Sequence, residues 1–278
     1  MIDPTHARRF AALHEHGTFV LPNAWDAASA AVIAAAGAAA VATTSSGISW
    51  ALGVPDGENL TRDEAIAVTA RIVAAVAVPV TADVEAGYGP SPRDVAATIE
   101  AVLDAGAVGA NVEDRARSGG APLWPVDAQC ERLAAARAAA DRRGVPFTLN
   151  ARTDVYLAGV GEPAAREDMV LERAAAYRSA GANCLFVPGV VDLATIARLV
   201  ARAPLPLNVL LAPGRSPTIA ELTAAGVRRI SVGHCLAATA YTAARDATTR
   251  LLAGDDRPLR DAIPHPELQR LVAKPVAA

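Results

Sequence analysis

Short apolar runs alternate with longer Ala-rich, helix-like stretches along the chain, and two kinds of punctuation separate them. Four times a helix-like stretch ends in glycine and a short apolar run follows: Gly37 before 40–44, Gly106 before 109–113, Gly181 before 184–188 and Gly226 before 228–232. Glycine just past a helix takes the left-handed conformation that turns the chain into its next element. Three other runs, 79–83, 146–152 and 206–211, are introduced by proline. Proline ends the preceding helix and suits the first position of a strand. With an opening run at 18–22, the pattern predicts eight strands, and the Gly-led and Pro-led ones alternate strictly.

Helical patterns occupy the intervals 60–75, 92–105, 127–142, 167–180, 193–201, 219–225 and 236–252. The first opens with Thr61-Arg-Asp-Glu64, a capping-box signature. Strands alternating with helices imply parallel pairing and right-handed crossovers. Eight such units predict an α/β protein, a (β/α)8 TIM barrel forming one domain over 1–278. The alternative is an open doubly wound sheet, whose GxGxxG fingerprint does not occur here. Residues 255–278 carry further prolines and a short amphipathic piece with Leu268, Leu271 and Val272, read as an extra helix or an oligomer arm.

Composition narrows the class. The 278 residues are 52% hydrophobic but only 4% aromatic, so the apolar character comes from small, helix-favouring side chains. A net charge of −3 points to neither nucleic acid nor an anionic membrane surface. The Ala-rich runs are interrupted well short of a membrane span, and the first residues lack an apolar signal core. Cys130, Cys184 and Cys235 are widely spaced, without CxxC or metal spacing, which fits packed thiols in a reducing cytoplasm.

In such a barrel the chemistry sits at the C-terminal ends of the strands. Those ends are polar here, whereas the opposite ends begin with Pro, Val, Ala or Gly. The first two strands end in segments holding Trp25, and then Ser45, Ser46, Gly47 and Ile48. The third and fourth give Asp83, Glu85 and Glu113. The fifth gives Arg152, the seventh Asn208, and the eighth leads to His234. Three acids on adjacent strands repel one another unless a cation neutralises them. With no His or Cys among them, the expected cation is Mg²⁺, or Mn²⁺, shared between Asp83 and Glu85 and joined by Glu113. Arg152 suits a substrate carboxylate, or else it neutralises the same acids. Ser45, Ser46 and Gly47 offer hydroxyl and N–H donors, or form a plain turn. Asn208 is a ligand donor or a satisfied buried amide, and His234 an acid–base group or a structural histidine. His6, His14, His16 and His265 lie away from this rim. Two Gly-bearing loops, 50–59 with Asp56 and 114–125 with Ser118-Gly-Gly120, look like lids.

At these residues the chain resembles the isocitrate lyase/phosphoenolpyruvate mutase superfamily. The resemblance runs from about residue 19 to 241. Its carriers are Leu21-Pro-Asn-Ala-Trp-Asp26, Ser45-Ser-Gly47, Gly53-Val-Pro-Asp56, Ala82-Asp-Val-Glu-Ala-Gly-Tyr-Gly89, Val112-Glu-Asp114 and Leu149-Asn-Ala-Arg-Thr-Asp154. It implies a Mg²⁺ site of Asp83, Glu85 and Glu113, with Asp56 behind it or above the substrate. It implies an α-oxycarboxylate held by Ser46, Gly47 and Arg152, and a C-terminal helix exchanged within a homodimer or homotetramer. The loop after the fourth strand departs from the lyase pattern Lys-Lys-Cys-Gly-His, having neither Cys nor Lys. Glu85 stands where the mutase branch usually has Asp. The nearest pattern is the short bacterial branch called phosphonomutase-like or oxaloacetate-decarboxylase-like. The leading expectation is a Mg²⁺-dependent lyase cleaving a C–C bond in a small keto or hydroxy acid, with His234, Tyr88 or water supplying the proton. The rivals are a mutase or hydrolase acting on a P–C bond, with Asp56 as nucleophile or water positioner, and a non-catalytic keto-acid binder.

Overall fold

A computed structural model describes residues 3–116, 120–212 and 214–273. The strands are β1 (Phe19–Leu21), β2 (Asn23–Ala24), β3 (Val41–Thr43), β4 (Val80–Asp83), β5 (Gly109–Glu113), β6 (Thr148–Arg152), β7 (Cys184–Val187), β8 (Leu207–Leu210) and β9 (Arg229–Ser231). All pair in parallel, in the order β1-β9-β8-β7-β6-β5-β4-β3-β2. Because β1 runs directly into β2, the two ends of this sheet meet, and the expected barrel is the observed one.

The ninth strand, β2, starts just past the predicted run 18–22, after Pro22. Pro22 has no N–H to give a ladder, so pairing changes partner there. Leu21 pairs with Ser231 on one side, and Asn23 pairs with Ala42 on the other. The Asn23 side chain stitches the seam. Its Nδ2 donates to Thr43 O at 2.8 Å, and its Oδ1 accepts from the Val232 and Gly233 N–H groups at 3.1 and 2.9 Å.

The helices that cover the barrel include α1 (Pro4–Ala12), α2 (Ala27–Ala35), α3 (Ser45–Ala51), α4 (Arg62–Ala75), α5 (Pro92–Asp104), α6 (Val126–Asp141) and α7 (Arg166–Ser179). They continue with α8 (Leu193–Arg202), α9 (Ile219–Ala224), α10 (Cys235–Leu252) and α11 (His265–Val272). The Thr61–Glu64 capping box forms as read, with both hydrogen bonds present. Gly37, Gly106, Gly181 and Gly226 all adopt φ between +81° and +98°, the left-handed turn their position after a helix requires. No helix among the described residues is long and apolar enough to cross a membrane. The tail helix α11 packs on α2.

Two layers of apolar contact hold this frame. The main one lies between the outward residues of the strands, such as Val112, Leu149 and Leu185, and the helices around them. A smaller one, Ala7, Phe10, Leu21, Ala40, Ala42 and Val108, closes the barrel where the strands begin. Gly109 lets this plug seat, since a Cβ there would stand 2.8 Å from Thr148 O and 3.0 Å from the Phe10 ring. The barrel interior is polar. Arg229, fully buried on β9, donates across the barrel to Asn111 Oδ1 on β5 at 3.2 Å, and Asn150 donates to the same oxygen at 2.7 Å.

His14 is buried at the plugged end, edge-on to Phe10 and Phe19 at 4.9 and 5.0 Å, with Nδ1 2.9 Å from Phe10 O. Burial, reinforced by the Arg229 charge, pushes its pKa down to about 4. The folded state therefore binds fewer protons than the unfolded one between about pH 4 and 6.5. This contribution is full above pH 6.5 and is lost as the pH falls toward 4, up to about 3 kcal/mol. Urea unfolding at pH 7.5, 6, 5 and 4.5 is expected to give a smaller loss of stability in His14→Gln than in the unaltered protein; equal slopes would refute the assignment.

Candidate active site

The site is built from strand ends. β4 ends at Asp83, whose N–H donates to Thr43 Oγ1 at 2.8 Å. The next loop delivers α3, and Ser45 turns both its N–H (3.2 Å) and its hydroxyl (3.0 Å) onto Asp83 Oδ2. Ser45-Ser-Gly47 is thus the first turn of a helix rather than a loop, and Trp50 belongs to that helix, so the first lid begins after Ala51. Gly47 is required by packing: a Cβ would come within 2.6 Å of Thr44 Cγ2 and 2.8 Å of Trp25 Cβ. Asp83 Oδ1 is buried without a hydrogen-bond partner.

Glu113 and Arg152 are register partners on β5 and β6. Arg152 Nη1 meets Glu113 Oε2 at 2.8 Å, while its Nε and Nη2 reach Asp154 Oδ1 and Oδ2 at 2.7 and 3.0 Å. Burial alone would lower the pKa of this guanidinium, but Glu113 and Asp154 overcome it and hold it raised. It neutralises rim acids, and three of its five N–H donors are engaged by these carboxylates.

Behind this pair, Asp114 ties the fourth predicted strand end to the fifth. Its Oδ1 accepts from Asp154 N–H at 2.9 Å; its Oδ2 accepts from Arg173 at 3.0 Å and from the Tyr177 hydroxyl at 2.8 Å. Burial raises the Asp114 pKa, and Arg173 is the largest opposing influence.

Two adjoining hollows of about 330 and 270 Å³ open at this rim and share Ser45, Asp56, Arg152 and Leu157. The first also takes in Ser46, Asp83 and His234; the second takes in Glu85, Glu113 and Asp154. Asp56 accepts the Ser46 hydroxyl at 2.7 Å, and His234 stands edge-on to Trp50 at 5.4 Å. Trp25, Gly47, Ile48 and Asn208 do not line either hollow. Trp25 and Gly47 pack together, Ile48 is buried, and Asn208 Oδ1 accepts the Ser231 hydroxyl at 3.0 Å. A hollow of about 530 Å³ lies at the opposite end, lined by His14, Glu15, Arg137 and Asp141.

The three rim acids, expected to share one cation, take different partners. Glu85 has φ +52°, so the chain turns out of β4 before it. Its Oε2 accepts the Glu58 N–H at 2.6 Å. With Asp83 facing Ser45 and Glu113 facing Arg152, no three His, Cys, Asp or Glu among the described residues are grouped to hold an ion between them. The donor set nevertheless fits a hydrated hard cation. Mg²⁺ commonly takes one or two carboxylates and keeps several waters. Asp83 Oδ1, buried and unpartnered, is an oxygen of that kind.

Sequence reasoning missed Arg115, which lines the second hollow, and Glu58, which fastens the first lid. Arg115 carried a signal only as a cation in the departing loop. An antiparallel bridge between Arg115 and Leu123 braces that loop, while Ser118 of the predicted lid lies outside the described residues. The three cysteines are free thiols; Cys184 is buried and pushed up to about 11, mainly by that burial.

Residues 10–252 match the model of the phosphoenolpyruvate phosphomutase family. The chain belongs to this family. An uncharacterised Mycobacterium tuberculosis protein is 37% identical over 263 residues, covering 94% of this chain and 95% of the relative. The 2-methylisocitrate lyase of Salmonella typhimurium is 34% identical over 165 residues, 57% of this chain and 54% of that enzyme. A solved Burkholderia cenocepacia structure, described as a candidate lyase/mutase, superposes with TM-score 0.91 at 40% identity over 98% of this chain and 97% of that one.

In this family member the Asp114 cluster supports the loop carrying Arg115. Arg173→Met would leave a buried carboxylate without its cation and is expected to cost about 3–5 kcal/mol in urea unfolding. Adding Asp114→Asn should restore part of that loss; no recovery in the double variant would refute the pairing.

Proposed function

We propose that the protein is a Mg²⁺-dependent lyase that cleaves a carbon–carbon bond in a small α-keto or 2-hydroxy di- or tricarboxylate, as a 2-methylisocitrate lyase or an oxaloacetate decarboxylase does. The observation that carries this reading is the unpartnered Asp83 Oδ1 beside a cleft lined by carboxylates and guanidinium groups. Asp83 would hold the cation, with Glu85 and Glu113 completing its surroundings. A bound Mg²⁺ would stabilise negative charge developing on the α-oxygen of the substrate.

The chain's own residues perform the rest. Arg152 faces the substrate carboxylate with its two remaining N–H donors, and Arg115 supplies positive charge for a second carboxylate. In a β-keto acid the C3–C4 bond breaks, CO₂ departs, and the electron pair stays on C3 as an enolate that takes one proton. In a 2-hydroxy acid a base removes the hydroxyl proton, C2–C3 breaks, and the pair leaves on C3 beside its carboxylate. Asp56 and His234 are the cleft groups suited to move these protons. Tyr88 is not chosen. Burial and then Glu85 hold its phenol well above the usual range, and it lines an outer hollow beside Glu58 and Leu60.

Incubation with Mg²⁺ and oxaloacetate, 2-methylisocitrate or related acids is expected to give turnover, lost on chelation and restored by Mg²⁺. Asp83→Asn should lower kcat/KM by at least about a hundredfold. No turnover of any acid at saturating concentration would refute the lyase reading; binding alone would then favour a keto-acid binder. The family's description favours a second reading, cleavage or migration of a P–C bond in phosphonopyruvate. ³¹P NMR distinguishes it, since a lyase of the first kind leaves that spectrum unchanged.

We also infer a homodimer or homotetramer in the cytoplasm. Along α10 only Ala237 is buried, while Tyr241 and Leu251 are exposed and Leu252 is 86% exposed. A soluble monomer rarely leaves such a face uncovered. Light scattering is expected to give a mass of at least two chains, and a monomer would refute it.

A further inference from the structure

Among the described residues, three non-glycine positions have positive φ: Glu58 (57°), Glu85 (52°) and Tyr88 (56°). Such conformations are uncommon and persist where surrounding contacts enforce them. All three meet in one contact. Glu58 Oε1 accepts the N–H groups of Ala86 and Tyr88, both at 3.1 Å, and the Glu58 N–H donates to Glu85 Oε2 at 2.6 Å.

The surface that receives Glu58 is fixed from its other side. The buried Arg132 guanidinium donates to the carbonyls of Gly89 (2.9 Å), Pro90 (2.6 Å) and Ala86, and lies over the Trp124 ring at 4.8 Å. Arg132 thus takes carbonyls of the 86–90 turn while Glu58 takes its free N–H groups. The turn is a platform, and the 52–60 loop is the part that docks on it. Two residues before Glu58, Asp56 reaches Ser46 over the cleft, and Asn59 Nδ2 braces Asp56 O at 3.1 Å. Beyond these contacts the loop is exposed over Leu52, Gly53 and Pro55.

We propose that Glu58 is a positioning residue, the clasp that fastens the 52–60 loop to the Glu85–Tyr88 turn and so sets Asp56 above the cleft. The clasp rests on the lyase reading only for what Asp56 does there; the docking itself stands apart from it. A glutamine keeps an oxygen that accepts both N–H groups, whereas alanine removes the acceptor. Two variants therefore separate the clasp from a general loss of stability.

Hydrogen exchange with mass spectrometry tests the docking without substrate. In Glu58→Ala, amides of 52–60 together with Ala86 and Tyr88 should exchange about tenfold faster or more, while α5 stays unchanged. Glu58→Gln should stay near the unaltered protein. The functional arm measures the affinity for oxalate with Mg²⁺ by calorimetry, and KM against kcat for any acid turned over. Glu58→Ala should weaken oxalate binding or raise KM by about tenfold, with a smaller change in kcat, and Glu58→Gln should restore it. Unchanged exchange in Glu58→Ala, or Glu58→Gln as impaired as Glu58→Ala, would overturn the clasp. Faster exchange with unaltered oxalate affinity and KM would overturn its positioning role. Absence of turnover in the unaltered protein would refute the lyase reading alone, since exchange and oxalate binding still decide the clasp.

Discussion

The rim depends on the Arg152 guanidinium, buried between Glu113 and Asp154. Parallel register sets Glu113 opposite Arg152 on the neighbouring strand, so the contact follows from β5–β6 pairing itself. Without that cation the carboxylates around the cleft would repel one another in a partly dehydrated space. The same group ties neighbouring strands together and lines both hollows of the cleft.

Support for the rim comes from both directions. Behind it, Asp114 links Asp154, Arg173 and Tyr177 into a buried cluster, so the loop after β5 starts from a fixed point. Beneath it, the barrel interior is not the branched aliphatic packing usual for this fold. Asn111, Asn150 and Arg229 form a polar middle, and Phe10 closes the end away from the site. Small and polar inward residues leave the apolar work to the layer between strands and helices, in line with an Ala-rich sequence that has few aromatics.

Much of this was legible in the chain. Glycine after helices and proline before strands marked each turn of the barrel, because both act through local backbone conformation. The polar character of the strand ends was legible too. Other features were not. Pro22 splitting the first strand depends on which neighbours each half finds. Ser45-Ser-Gly47, read as ligand donors or a plain turn, is the start of α3, held by Thr44 as its cap and by Asp83. Trp25 and Asn208 carried the right chemistry, yet neither lines the cleft.

The sequence alone determined the repeating strand–helix architecture, the rim on which Asp83, Glu85, Glu113 and Arg152 stand, and the loops above them. These follow from local signals: periodicity, capping and backbone restriction. The tertiary structure decided which partner each charged group took. Glu113 went to Arg152, Asp83 turned one oxygen to Ser45 and kept the other unpartnered, and Glu85 left the strand through a left-handed turn to meet Glu58. Those choices join residues far apart in the chain. They depend on register, burial and competition among nearby charges, which only the closed barrel brings together.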